Sequence, residues 1–406
     1  MMNYLTKEQQ TLLLLIRRSL WGENVEIPTG VDWEKVDTMA REQGITSLIY
    51  DGAMKVNPDL PAEILRMWKK KTLGGVLKNE QLLAAQDKIF RWFADEGISA
   101  QVLKGSSVGC FYPQPDLRVL GDIDVLVKKM DLKRAEQILQ EHGFSIHEED
   151  HDFHVAYSRG AVYVELHYEV TRFPDTLVGN VAREECAAFL ETVRWGTIGD
   201  HTFPMLSEGN QILSLILHMS RHMYGRGIGL RQLCDWAVFA EQMDQAYFAE
   251  VMIPTLKRCG LLQYTKVVTS TCARYLGLTA CNMSWCEDVD DQACLAVMMD
   301  IFNSGNMGVV GEGMKMKLFT DHSTVGNDRL LIRSLIGELN WMAYHYFPLV
   351  KKYKILLPFV WIFLILRYWL RSLVGQRKRK SLRKAVQSAK EQCYLYDMLQ
   401  LFVADN

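Results

Sequence analysis

The chain has 406 residues, room for two or three domains. It is 49% hydrophobic and 23% charged, the make-up of a folded protein rather than a disordered or fibrous one. A formal net charge of −2 gives no overall electrostatic case for nucleic-acid binding, and nine cysteines offer no paired CxxC or Cys/His spacing for zinc. The odd cysteine count and the lack of a secretory signal favour reduced, buried thiols and a cytoplasmic setting.

Residues 1–95 read as a helical N-terminal region. Thr6 precedes KEQQTLLLLIRRSL, a polar opening followed by an apolar stripe, which is a helix start. Trp33 to Gln43, and Pro61 to about Asp95, continue in that style, with Leu82, Leu83, Ile89, Phe90 and Phe93 on one face.

After Gly97 the pattern changes, and residues 96–175 read as an α+β core. Ile98 to Leu103 is a short strand ending in Lys104-Gly105-Ser106, where a helix begins. Glycine there lets backbone approach a phosphate, and the helix start offers free N–H groups to it. LRVLGDIDVLV (117–127) carries Asp122 and Asp124 two apart in an apolar run. In a strand such residues share a face, with Ile123, Val125 and Val127 on the other. Two carboxylates held so close repel each other, and a divalent cation with oxygen ligands resolves this. Asp131 caps a helix, LKRAEQILQEH, that stops at Gly143. Strands follow at Phe144 to His147, His154 to Tyr157 and Ala161 to Val170. The last contains VELH, where Glu165 and His167 share a face opposite Val164 and Leu166. An acidic residue there suits a third metal or base position.

Residues 176–330 read as a second helical domain, with Ser207 as an N-cap candidate for LSEGNQILSLILHMSRHM. His218 and His222 share a helix face, but HMSRH lacks the glutamate of a zinc-protease HExxH. Arg231 and Asp235 are also i, i+4 and pair along their helix. His218 and Asp235 are candidates to line a cleft against the core. Gly305, Gly308, Gly311 and Gly313 match no phosphate-binding fingerprint and read as a loop. Residues 331–406 form a hydrophobic and basic helical C-terminal region. ILLPFVWIFLIL (355–366) is too short to span a membrane, and a basic segment, Arg371 and Arg377 to Lys384, follows it. Residues 355–384 therefore suit either peripheral contact with an anionic membrane or a buried helix followed by a solvated one.

Taken together, LKGSSVGCFYPQPDLRVLGDIDVLV and VYVELHYEV resemble the uncharacterised bacterial nucleotidyltransferase family of the DNA polymerase β-like superfamily. The likeness is strongest over 98–170, extends weakly to LILHMSRHM and GLRQLCDWAVF, and fades toward both ends. It implies a polymerase β-like core, a mixed sheet with flanking helices, embedded in helical N- and C-terminal regions. It also implies an enzyme that moves a nucleoside monophosphate from an NTP to an acceptor, with Mg²⁺ or Mn²⁺ as cofactor. Asp122, Asp124 and Glu165 are then the catalytic metal ligands. Lys104, Gly105, Ser106 and Arg118 are then the phosphate contacts. The gap from Ser106 to Asp122 is longer than is typical and holds Pro113 and Pro115, which bears on nucleotide specificity.

The residues leave alternatives. Arg118 could pair with one of the aspartates, His167 could orient Glu165 or only pack, and the aspartates could sit in a structural turn. His154 reads as structural. The acceptor is a small molecule, glycan, peptide or lipid-linked group, and the resemblance associates it with cell-surface polysaccharide or modified-peptide biosynthesis at the inner face of a membrane. Toxin-like nucleotidylation of tRNA or protein, and a non-catalytic nucleotide-binding protein, are the competing functions.

Overall fold

Thr6 opens the first helix by a reciprocal cap: its hydroxyl accepts from the Gln9 N–H at 3.2 Å, and the Gln9 side chain accepts from the Thr6 N–H at 2.9 Å. The computed structural model describes residues 4–56, 58–148, 153–174, 176–225, 227–279, 283–305, 353–373 and 395–403, with isolated positions between 340 and 350. The chain divides into two units. One comprises Met1–Met223, Gly227–Val310 and Gln400–Asn406; the other comprises Tyr224–Arg226 and Gly311–Leu399.

The first unit begins with α1 (Lys7–Trp21), α2 (Trp33–Glu42), α3 (Thr46–Val56) and the 34-residue α4 (Ala62–Asp95). Along α4 the buried positions Trp68, Thr72, Gly75, Asn79, Leu82, Gln86, Ile89 and Phe93 recur at three- and four-residue steps. This is the stripe of a helix with one buried face, and it contains two amides.

A mixed seven-stranded sheet follows, in the order β3-β4-β5-β2-β1-β7-β6. The strands are β1 (Ala100–Val102), β2 (Ile123–Val127), β3 (Ser145–Glu148), β4 (His154–Arg159), β5 (Val162–His167), β6 (Val193–Ile198) and β7 (His201–Leu206). A single turn, α5 (Ser106–Gly109), follows β1, and α6 (Leu132–Glu141) comes between β2 and β3 in the chain. Asp131 stands at the N-cap position of α6, but its side chain makes no cap hydrogen bond. All five residues of β2 are buried, because the strand lies near the sheet's middle and is covered on both faces.

The sheet runs past residue 175, where sequence periodicity suggested helices alone. After α7 (Leu177–Cys186), β6 and β7 form a hairpin closed by Gly199 and Asp200, with Gly199 at φ +57°. β7 then pairs in parallel with β1 through Val102 and Met205. Two helices complete the surroundings of the site, α8 (Glu208–Gly225) and α9 (Leu230–Ala240). Ten of the eleven residues of α9 are buried, Gln232 and Asp235 among them, so its polar side chains need partners inside the protein. Trp236 donates its indole N–H to the Thr269 hydroxyl at 2.9 Å, tying α9 to the helix Leu262–Thr271.

In the second unit, a 17-residue helix spans Leu357–Leu373. No described helix is long and apolar enough to cross a membrane. The basic segment Arg377 to Lys384 and Gly308, Gly311 and Gly313 lie outside the described residues.

Candidate active site

Strand register builds the site. β2 and β5 run in parallel with Asp124 opposite Glu165 and Leu126 opposite His167. Asp122 lies one residue before β2, two residues from Asp124. One carboxylate oxygen from each of Asp122, Asp124 and Glu165 lies within 4.8 Å of the other two. Asp124 is fully buried, while Asp122 and Glu165 are half-buried.

Two basic side chains sit among these acids. Lys104 donates to Asp124 Oδ1 at 2.9 Å and lies 3.7 Å from Glu165 Oε2. His167 Nε2 lies 3.2 Å from both Asp124 Oδ1 and Glu165 Oε2. Both partners only accept, so Nε2 carries the hydrogen. Lys104 reaches the acids because the chain turns sharply after it: Gly105 adopts φ +74° and ψ −109°, a conformation that excludes a Cβ.

Electrostatics follow this geometry. Asp124, then burial, pushes the Asp122 carboxyl above its usual range. Burial would raise Glu165 too, but the His167 hydrogen bond and the Lys104 charge outweigh it and hold Glu165 well below the carboxylate range. Burial opposes charge on His167 and Lys104, yet Asp124 and Glu165 raise both. His218 behaves oppositely: burial first, then the Lys104 charge, drives its imidazole far below the ordinary value, so it is neutral.

An all-oxygen set of three clustered carboxylates, one of them raised by its neighbour, has the donor chemistry of a hard divalent cation. Residues 29–277 match a family described as uncharacterised nucleotidyltransferase. The chain belongs to that family. It is thus a nucleotidyltransferase by family, a transferase of phosphorus-containing groups. No curated relative and no solved structure matches it. The family match reaches from before α2 to Gly277, past the helix Leu262–Thr271, well beyond the 98–170 stretch whose motifs carry the sequence resemblance.

Arg118, a candidate phosphate contact, is buried and directs its fork at Asp235. Its Nε and terminal nitrogen donate to the two Asp235 oxygens, both at 2.8 Å, and the Tyr112 hydroxyl donates to Asp235 Oδ1 at 2.7 Å. This corrects the expected helix pair: Arg231 forms no ion pair with Asp235 or with any other described residue, because both carboxylate oxygens face Arg118. Burial, then the Arg118 charge, lowers the Arg231 pKa, and Asp122 and Asp235 partly offset this. His218 stacks edge-on against His222 with ring centres 4.4 Å apart, as their i, i+4 spacing requires.

Ser106 turns the other way from a phosphate role. Its hydroxyl donates to Gln86 Oε1 on α4 at 2.7 Å, and the residue is buried. Asn79, two turns earlier on α4, pins the segment that leads into the aspartates. It donates to the Asp116 and Arg118 carbonyls at 3.2 and 3.0 Å and accepts from the Leu120 N–H at 2.8 Å. Sequence reasoning missed both amides. The signal was present: Asn79 and Gln86 are seven apart, on the face that carries Leu82, Ile89 and Phe93.

Proposed function

We propose that this chain transfers a nucleoside monophosphate from an NTP to an acceptor hydroxyl or phosphate, with Mg²⁺ or Mn²⁺ held by Asp122, Asp124 and Glu165. The observation that carries this reading is the convergence of those three carboxylates within 4.8 Å on the face shared by β2 and β5. The bound cation would neutralise triphosphate charge and ease deprotonation of the acceptor.

The protein's own groups fill the remaining roles. Glu165 stays ionised to low pH, so it serves as a ligand rather than as a strong base. Lys104 sits within reach of Asp124 and Glu165 and supplies the charge that stabilises the departing pyrophosphate. Gly105 lets the backbone approach the phosphates without a side chain in the way. The Ser106 contribution would come from its backbone, because its hydroxyl is engaged with Gln86. Arg118, bound to Asp235, and Asn79 act by fixing the segment before Asp122.

The acceptor is proposed to be lipid-linked or otherwise membrane-proximal, of the kind used in cell-surface polysaccharide or modified-peptide biosynthesis. Phe359, Ile362, Phe363 and Leu366 are each more than half exposed and fall on one stripe of the helix Leu357–Leu373. Residues 351–390 contain twelve Lys or Arg and no Asp or Glu, in a chain of net charge −2. An apolar stripe beside concentrated positive charge suits the inner, anionic face of a membrane. Co-flotation with anionic but not zwitterionic vesicles is expected; failure to float with anionic vesicles would reject the membrane contact.

The reaction is tested by label transfer from NTPs into lysate and membrane fractions with Mg²⁺. Label is expected from the α position alone and is lost in Asp122→Asn/Asp124→Asn. Label from the γ position would mean phosphoryl transfer. Nucleotide binding without transfer, unaffected by the double substitution in cells, would favour a non-catalytic role.

A further inference from the structure

The sheet carries a second set of metal-type ligands next to the three carboxylates. β4 and β5 run antiparallel with His154 directly opposite His167, and Glu165 lies two residues before His167 on the same face. The parallel register of β2 then sets Asp124 opposite Glu165. One face therefore presents, across three adjacent strands, His154, then His167 and Glu165, then Asp124. One ligand atom from each of His154, Glu165 and His167 lies within 4.8 Å of the other two. Around a dication with bonds of about 2.1 Å, neighbouring ligand atoms stand about 3.0–3.5 Å apart. Small side-chain adjustments close the difference.

The surroundings of the two imidazoles fit this use. Both histidines are buried, with ring centres 4.9 Å apart. Phe153 packs on both, its ring centre 4.3 Å from His154 and 5.8 Å from His167, giving an apolar wall. His167 Nδ1 is buried without a hydrogen-bond partner.

We propose that His154, Glu165 and His167 form a second divalent-cation site that shares Glu165 with the carboxylate site, the ion displacing the hydrogen that His167 Nε2 directs at Glu165 in the metal-free chain. Two imidazole nitrogens and one oxygen favour Zn²⁺, and less strongly Mn²⁺, over Mg²⁺. The site made by Asp122, Asp124 and Glu165 offers oxygen alone and suits Mg²⁺. The sheet thus places a hard and a borderline site side by side, with one carboxylate common to both. The proposal shares Glu165 with the nucleotidyl-transfer reading but is tested without nucleotide.

The probe is Mn²⁺ added to the full-length, metal-free chain, with bound ions counted by electron paramagnetic resonance and ¹⁴N coupling read by the pulsed form of the method. Two ions per chain and clear ¹⁴N modulation are expected. Asp122→Asn/Asp124→Asn should keep one ion and its nitrogen signal. His154→Ala should lose one ion and at least half of that signal. A single ion without ¹⁴N modulation in the unmutated chain overturns the proposal, as does an ion count unchanged by His154→Ala. If His154→Ala does not fold by circular dichroism, His154→Gln replaces it. If neither folds, the nitrogen signal of the unmutated chain decides. A chain that holds both ions yet transfers no nucleotide supports this second site while overturning the proposed reaction.

Discussion

Replacing Asp235 with alanine removes the acceptor from the Arg118–Asp235–Tyr112 group and tests what that group does. Arg118 is 8% exposed and Asp235 7%, so neither charge has water as a substitute partner. The substitution breaks two charge-assisted bonds at 2.8 Å and one hydroxyl bond at 2.7 Å. It leaves a guanidinium whose pKa Asp235 raises against the opposing effect of burial. Breaking one side of a buried pair costs about 3–5 kcal/mol, mostly because the remaining charge is uncompensated. Urea unfolding followed by circular dichroism should show this as a lower midpoint at unchanged slope. The triple substitution Arg118→Met/Asp235→Leu/Tyr112→Phe removes all the polar partners together and should recover most of the loss. A loss below about 1 kcal/mol for Asp235→Ala, or a triple variant no more stable than the single one, would refute the uncompensated-charge argument. The triple variant also separates two roles for Arg118. If Arg118 positions the loop, the KM for NTP changes little; if it contacts phosphate, KM rises while kcat holds.

Lys104→Met should tighten Mn²⁺ or Mg²⁺ binding by about tenfold, because a competing cation 2.9 Å from Asp124 is gone. Calorimetric titration checks this, and the same variant should transfer nucleotide more slowly; weaker cation binding would contradict the placement of Lys104 as a counter-ion. The metal-free chain should also show a pH optimum of stability set by the coupled His167 and Glu165. His167 has a raised pKa, so its contribution is complete below the ordinary 6.5 and is lost as pH climbs through the raised value. Glu165 has a depressed pKa, so its contribution is complete above the ordinary 4.5 and is lost as pH falls toward the depressed value. The window of full benefit is therefore between 4.5 and 6.5. Asp122 runs the other way, its raised carboxyl costing stability once ionised. Comparing the pH dependence of urea midpoints for wild type and His167→Gln isolates the alkaline limb, which should flatten above 6.5 in the variant. An identical decline in both would remove His167 from this account.

The parts of the site legible in the sequence are those whose neighbours lie close along the chain. Asp122 and Asp124 announce themselves by sitting in an apolar run, and VELH places Glu165 and His167 on one face by the same period of two. The structure brings these four together with Lys104, as that patterning requires. What spacing could not supply is partner choice across distance. Asp235 has Arg231 one helical turn away, yet it binds Arg118, 117 residues earlier, because the fork enters from the loop before β2. Ser106 illustrates a related limit: its place at a helix start was legible, but packing against α4 gave its hydroxyl to Gln86. The β6–β7 hairpin was lost for a different reason. Its alternating residues and Gly199-Asp200 turn are short signals lying between long helices, and only pairing with β1 makes them part of the sheet.

The charge balance bears on whether a cation belongs at the acidic cluster. Buried like charges alone do not require one, because a protein can supply its own counter-ions. This one supplies the Lys104 ammonium and the His167 Nε2–H, and both point at the same pair, Asp124 and Glu165. Asp122 makes no ion pair among the described residues, and Asp124 pushes its carboxyl up. These internal donors therefore stabilise two of the three acids and leave the third unpaired, a place that a dication fills. A protein that kept these carboxylates only for structure would gain by pairing Asp122 as well or by losing it. Holding one acid unpaired beside two paired ones keeps the cluster stable without a cation and still attractive to one.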